Sequence, residues 1–170
     1  NDFASLKIPL HVAATDIGKG EVVYFNSGKL IEPILASSCI PGMFEPIFYE
    51  SRYLVDGGVL NNMPVEPLQA SCEVLIGVNC NHLPELAAVR NVKNLLERAV
   101  MMNMNFNAYS RKSACTYFIE APGLGQFGVF DLKKAPEFFQ AGYNQAMKVI
   151  EANPSLLEIS QPLQPQPSDL

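Results

Sequence analysis

Tyr53-Leu54-Val55-Asp56-Gly57-Gly58-Val59-Leu60-Asn61-Asn62-Met63-Pro64-Val65 is the stretch around which this chain is organised. An apolar run, Tyr53 to Val55, delivers one carboxylate, Asp56, straight into Gly57 and Gly58. Paired glycines let the backbone take φ > 0 and let another backbone or a substrate approach closely. A carboxylate held at a strand end, beside a space free of side chains, is well placed for proton transfer. The same letters carry a plainer reading, because Asp-Gly is a common short hairpin turn signal. On these residues alone both readings stand.

Working outward, residues 36–46 read Ala-Ser-Ser-Cys-Ile-Pro-Gly-Met-Phe-Glu-Pro, and a short strand pair separates them from Asp56. With Ile8 to Thr15-Asp16 near the start, these segments resemble the later half of the patatin-like phospholipase domain. That family carries Ala-Ser-x-x-Ile-Pro-Gly-x-Phe-x-Pro followed by Asp-Gly-Gly-x-x-x-Asn-x-Pro. The corresponding residues here are Ala36 to Pro46 and Asp56 to Pro64, in the same order and at compatible separation. The resemblance extends over most of residues 6–150. It implies an α/β fold, part of a three-layer domain with a mostly parallel central sheet, in which Asp56 is the catalytic partner of a serine. Gly57, Gly58, Asn62 and Pro64 would form the supporting turn. The implied substrate is a phospholipid or another acyl lipid, with no metal and no cofactor, and with peripheral membrane contact.

The sequence departs from the family at one decisive point. No Gly-x-Ser-x-Gly occurs in it, and a nucleophilic serine needs that kind of strained, exposed turn. The family's glycine-rich oxyanion segment is absent as well. The expectation is therefore a general base without its nucleophile, the C-terminal part of a lipid acyl hydrolase completed by a missing N-terminal segment of the same domain and inactive alone. The first residue is Asn1 rather than Met, which agrees with a chain that is not an intact translation product. The rival from another class is a non-catalytic module that binds a partner through the surface the missing half would cover. Ser37 and Ser38, just before Ile40-Pro41-Gly42, are the serines most worth watching, although the resemblance assigns them to scaffold.

Composition narrows the rest. The 170 residues suit one domain, 48% are of apolar type, and the net charge is −5, with no basic stripe for nucleic acid or polybasic membrane patch. No apolar run reaches the roughly 18 residues of a membrane span. The four cysteines, 39, 72, 80 and 115, lack Cys-x-x-Cys spacing, which reads as buried thiols in a reducing, cytoplasmic compartment rather than a disulfide frame. His11 and His82 have no neighbours at metal-ligand spacing.

Along the chain, strands alternate with helices. Strands are expected over Leu6–Thr15, Glu21–Asn26, Ile47–Tyr49, Tyr53–Val55, Glu73–Asn79 and Cys115–Glu120. Helices are expected over Lys29–Ser38, from Pro64 through Ala70, over Asn91–Ser110 and over Pro136–Ala152. Pro33 is tolerable only in a first turn. Continuous apolar runs such as Val74 to Val78 suit strands buried on both faces of a parallel sheet. Met101, Met102 and Met104 admit a lipid-contacting surface, but Met at helical spacing is commonly core filler. Residues 1–152 form the domain, and the Pro- and Gln-rich residues 153–170 an extended tail.

Gly123-Leu124-Gly125-Gln126-Phe127-Gly128 fits the dinucleotide fingerprint letter for letter. The fingerprint requires its third glycine inside a helix packed on the preceding strand. Here Pro122 breaks the entry and helix signals begin only at Pro136, so the segment reads as a loop. Three geometric expectations follow for the central stretch. Asp56 ends a strand and lines a cleft with Gly57 or Gly58 at φ > 0. Asn62 bonds local backbone. Pro64 opens the next helical segment, where its missing N–H would be unpaired.

Overall fold

The computed structural model describes residues 2–159, apart from 84, 86, 87, 89, 90, 123 and 125–131. The dinucleotide-like motif and residues 160–170 of the tail therefore lie almost wholly outside the described residues. The fold is α/β. Strands β1 (Val12–Asp16), β2 (Glu21–Phe25), β3 (Ile47–Tyr49) and β4 (Arg52–Asp56) form one sheet in the order β2-β1-β4-β3. Strands β5 (Ile76–Asn79) and β6 (Tyr117–Glu120) form a second, parallel pair. Helices α1 (Ile31–Ser37), α2 (Glu66–Gln69), α3 (Val92–Ser110) and α4 (Ala135–Ala152) complete the described elements.

The parallel arrangement expected of the central sheet is found at β5–β6, whereas all three pairings of the larger sheet are antiparallel. For the β1–β2 and β3–β4 pairs the reason is local. Asp16 closes the β1–β2 turn by accepting the N–H groups of Gly18 and Lys19 on its Oδ1, and Gly20 at φ 71° turns the chain back. Glu50 and Ser51 sit at φ 49° and 60° between β3 and β4, the signature of a two-residue type I′ hairpin. Hairpins this tight can join only antiparallel strands.

β1 lies between β2 and β4 and is buried along its whole length. Its apolar run reflects burial on both faces, which an interior antiparallel strand shares with a parallel one. The strand is shorter than Leu6–Thr15: the chain enters through a 3₁₀ turn at Phe3–Ser5, capped by the Asp2 carboxylate on Ala4 N–H, and reaches the sheet only at Val12. Phe3, Val12, Ala14, Phe25, Ala36 and Leu54 form the core between this sheet and α1.

α1 presents Pro33 and Ala36 to that core and leaves Ile31, Ile34 and Leu35 exposed. Most of the apolar side of this helix is thus uncovered. Pro33 stands in the first turn, as required. Apolar side chains are also exposed on Ile8 (75%) and Leu10 before β1, and on Ile76 and Val78 (58%) of β5. A smaller core of Met63, Val65 and Ala108 joins α3 to the stretch after Asp56. The tail begins with a further 3₁₀ segment, Pro154–Ile159, instead of extended chain. Among the described residues no helix is long and apolar enough to cross a membrane.

Candidate active site

Asp56 is the last residue of β4, paired with Ala14 of β1. Residues directly opposite in an antiparallel ladder share a face, so Asp56 lies on the α1 side of the sheet with Ala14 and Leu54. Its backbone is held from two directions. Ladder pairing fixes it to β1, and its N–H donates to Cys39 O at 2.9 Å. The Ile-Pro-Gly segment is therefore a brace behind the carboxylate. Cys39 itself is buried and donates its thiol to Glu45 O, whereas Cys72 and Cys80 are exposed, so the expectation of four buried thiols is corrected.

Gly57 and Gly58 open a 3₁₀ turn, Gly57–Val59, capped by the Asp56 carboxylate: Gly58 N–H donates to Asp56 Oδ1 at 2.8 Å. Neither glycine has positive φ; among the described residues the glycines that do are 20, 28 and 42. The expectation of a left-handed glycine is corrected accordingly. What the pair supplies is proximity. A Cβ on Gly57 would stand 2.4 Å from Ala13 O and 2.8 Å from Ala13 C, backbone atoms of the central strand that cannot move aside. A Cβ on Gly58 would meet Asn62 Oδ1 and Met104 Cε, each at 2.9 Å.

Asp56 lines a cleft of about 440 Å³ with Gly57, Gly58, Asn62, Pro64, His11, Ser37 and Ser38 among its walls. The five residues singled out in the sequence thus converge on one space. The hairpin-tip alternative for Asp56 is excluded by its place in β4 and in this cleft. Partial burial pushes its carboxyl above the ordinary aspartate range, opposed by the Gly58 N–H. Among the described residues no donor engages its Oδ2. That combination, one oxygen fixed and the other unengaged on a half-buried carboxylate, is what a general base acting on a hydroxyl needs.

Two expectations about the loop are corrected. The side chain that ties it down is Asn61, not Asn62. Asn61 is 1% exposed, accepts Met63 N–H on its Oδ1, and donates from Nδ2 to Tyr24 Oη and Glu66 Oε2, both at 2.9 Å. Asn62 instead faces the cleft beside Gly58. Two adjacent asparagines carry no sequence signal for which one turns inward; the 3₁₀ turn decides it. Pro64 likewise lies two residues before α2, and Pro67 takes the early helical position. His11, judged in the sequence only for metal-ligand spacing, lies on the cleft wall, and no pattern in its own window brings it to Asp56. The methionines of α3 divide: Met104 reaches Gly58, whereas Met102 is exposed. No group of three His, Cys, Asp or Glu side chains able to hold a metal occurs among the described residues.

Residues 6–68 match the patatin-like phospholipase family. This segment is patatin-like. The match runs from before β1 through α2 and so takes in Asp56, its glycines, Asn61, Asn62 and Pro64. An uncharacterized NTE family protein of Mycobacterium tuberculosis (strain H37Rv) is 38% identical over 77 residues, 45% of this chain and 21% of that protein. A second uncharacterized NTE family protein of the same strain is 21% identical over 169 residues, 85% of this chain and 29% of its own. A lysophospholipase of Aspergillus terreus is 22% identical over 163 residues, 81% of this chain and 11% of its own. The chain thus spans less than a third of the length of these relatives.

Proposed function

We propose that this chain supplies the aspartate of a Ser-Asp acyl-lipid hydrolase, with Asp56 as general base and the serine and oxyanion donors provided from outside residues 1–170. The carrying observation is the placement of Asp56: at a strand's end, in a cleft, half-buried, with one oxygen held by Gly58 and, among the described residues, the other unengaged. The patatin-like match over residues 6–68 and the relative named as a lysophospholipase support the acyl-lipid class.

In this reading a serine Oγ attacks the ester carbonyl while Asp56 accepts its proton. Asp56 then returns the proton to the departing alcohol, leaving the acyl group on serine. Water attacks the acyl-enzyme in turn, giving a proton to Asp56; the serine–acyl bond breaks, the fatty acid leaves and Asp56 returns the proton to the serine Oγ. No histidine need intervene, because the carboxylate itself reaches the hydroxyl. Backbone N–H groups of the completing segment would stabilise the oxyanion. The exposed apolar side chains before β1, on α1 and on β5 fit a surface that such a segment covers. Lipid substrate would be met at a membrane surface, in a cytoplasmic setting.

Residues 1–170 alone should accordingly lack esterase activity, having the base but neither nucleophile nor oxyanion hole. The test is hydrolysis of lysophospholipid and p-nitrophenyl esters by the isolated chain and by a longer protein carrying this segment. Turnover only in the longer form, lost on Asp56→Asn, is expected. No turnover in either form would favour the interaction module. Activity of the isolated chain that disappears on Ser37→Ala or Ser38→Ala would make one of these the nucleophile.

A further inference from the structure

A set of polar side chains outside the cleft converges on the loop that follows Asp56. α3 carries Asn103 and Asn107, and Arg111 follows in the turn just past its end, at steps of four along one side. Asn103 Nδ2 donates to Val59 O at 2.7 Å, within the Gly57–Val59 turn. Arg111 Nη1 donates to Asn107 O, and its Nε donates to Glu66 Oε1 at 2.6 Å. Glu66 Oε2 receives Asn61 Nδ2, and Asn61 N–H donates to Gly57 O at 2.8 Å. An unbroken chain of charged and polar contacts therefore runs from the end of α3 to the carbonyl beside Asp56. Tyr24 of β2 holds its middle by donating to Glu66 and accepting from Asn61.

We infer that Arg111, Glu66 and Asn61 are positioning residues for Asp56: they hold the Gly57–Val59 turn so that Gly58 N–H stays aimed at Asp56 Oδ1. The catalytic purpose of that placement rests on the function proposed above; the placement itself does not. Gly58 N–H is the protein donor to the carboxylate, and its direction is set by a turn with no side chain at its first two positions. Close contact with Ala13 limits where Gly57 can go, but it places no hydrogen bond on the carbonyls of the turn. Asn61 fixes its end from below, and Asn103 fixes its third carbonyl from the α3 side. The pair Glu66–Arg111 matters because it fixes the residue that Asn61 grips. Asn61 is the buried member of the network, and a buried polar group with its partners satisfied rigidifies what it joins; Glu66 and Arg111 are partly exposed and act by fixing its partner. A displacement of about 1 Å at a reacting group can cost about 100-fold in rate.

The test uses the Asp56 carboxyl resonance, titrated by NMR in the full chain, with the Gly58 amide proton as second reporter. Arg111→Met removes a positive charge and Glu66→Ala a negative one. Through charge alone the two would move the Asp56 titration in opposite directions. Through positioning both weaken the Gly58–Asp56 hydrogen bond, so both raise the Asp56 midpoint and move the Gly58 amide upfield. His11, the other titratable group on the cleft, is untouched in both. Asn103→Ala, neutral and on the exposed side of α3, should give a smaller rise and serves if either charged variant fails to fold. Ile150→Val in α4 should leave both reporters unmoved. Midpoints that follow the sign of the deleted charge, or a folded Arg111→Met with both reporters unchanged, would overturn the inference. These outcomes are independent of whether Asp56 is the base, which activity of Asp56→Asn in the longer protein decides.

Discussion

β1 and β5 make the instructive comparison. Both are short apolar strands, and each continues toward a polar residue that bonds elsewhere, Asp16 in one and Asn79 in the other. β1 is covered along its length, flanked by β2 and β4 and packed by α1. β5 pairs with β6 alone among the described strands, and Ile76 and Val78 remain exposed on one face. The site is built on the covered strand. Asp56 is paired to β1, Gly57 is pressed against its Ala13 carbonyl, and the α1 C-terminus closes the cleft. The frame that holds Asp56 is made by backbone in direct contact with backbone. The β5 side supplies support through α3 and leaves its apolar face for something else to cover.

Glycine substitution gives the sharpest break of that comparison. Gly57→Ala drives a methyl into the Ala13 backbone and should destabilise by about 3 kcal/mol or more, read as a fall in thermal midpoint. Gly58→Ala meets only the ends of Asn62, Met104 and Asp56 and should cost clearly less. Equal losses at the two positions would mean that contact with β1 is not what requires Gly57.

Asn61→Ala should come next, at about 2 kcal/mol, since it leaves Met63 N–H and the Tyr24–Glu66 pair without a buried partner. Asn62→Ala should cost a few tenths of a kcal/mol at most, because its side chain borders the cleft. Urea unfolding of the two variants measures the difference. A larger loss from Asn62→Ala would reverse the assignment of the inward asparagine.

Asp56→Asn should raise stability at neutral pH. Burial holds the Asp56 carboxyl above its ordinary range in the folded chain, so the fold favours the protonated form. Stability from this group is therefore full below the unfolded carboxyl's pKa. It declines as pH rises between the unfolded and folded values, and stays lower above them. Asparagine removes that loss while its Oδ1 can still accept Gly58 N–H. The gain in thermal midpoint should be present at pH 7 and vanish in acid; a gain independent of pH would point to another cause. The smallest effect belongs to the other half of the molecule: Gly142→Ala in α4, with open space around its Cβ, should stabilise by about 0.5 kcal/mol through helix propensity.

The parts legible in the sequence were those set by local pattern. The β3–β4 hairpin and the long helices α3 and α4 fall within a residue or two of expectation, because their periodicity and turn chemistry are contained in a single window. Asp56 was legible as a strand-end carboxylate for the same reason. Strand direction around β1 was not: a run such as Val12 to Thr15 records burial on both faces and says nothing about which neighbours provide it. Nor was the use of the paired glycines. Glycine is demanded equally by a left-handed turn and by close approach, and only the position of Ala13 O separates the two. Asn61 and Arg111 were invisible as a unit because 50 residues of chain separate groups that meet through one carboxylate.

The central claim is that Asp56 is the base of an acyl hydrolase. It is tested most directly by turnover of a lysophospholipid in a longer protein that carries this segment, native against Asp56→Asn, with folding checked by thermal midpoint. A fall in kcat of about 10³-fold, the scale of a lost general base, with the midpoint at pH 7 equal or higher, is the expected result. Undiminished turnover by a folded Asp56→Asn protein would contradict the claim.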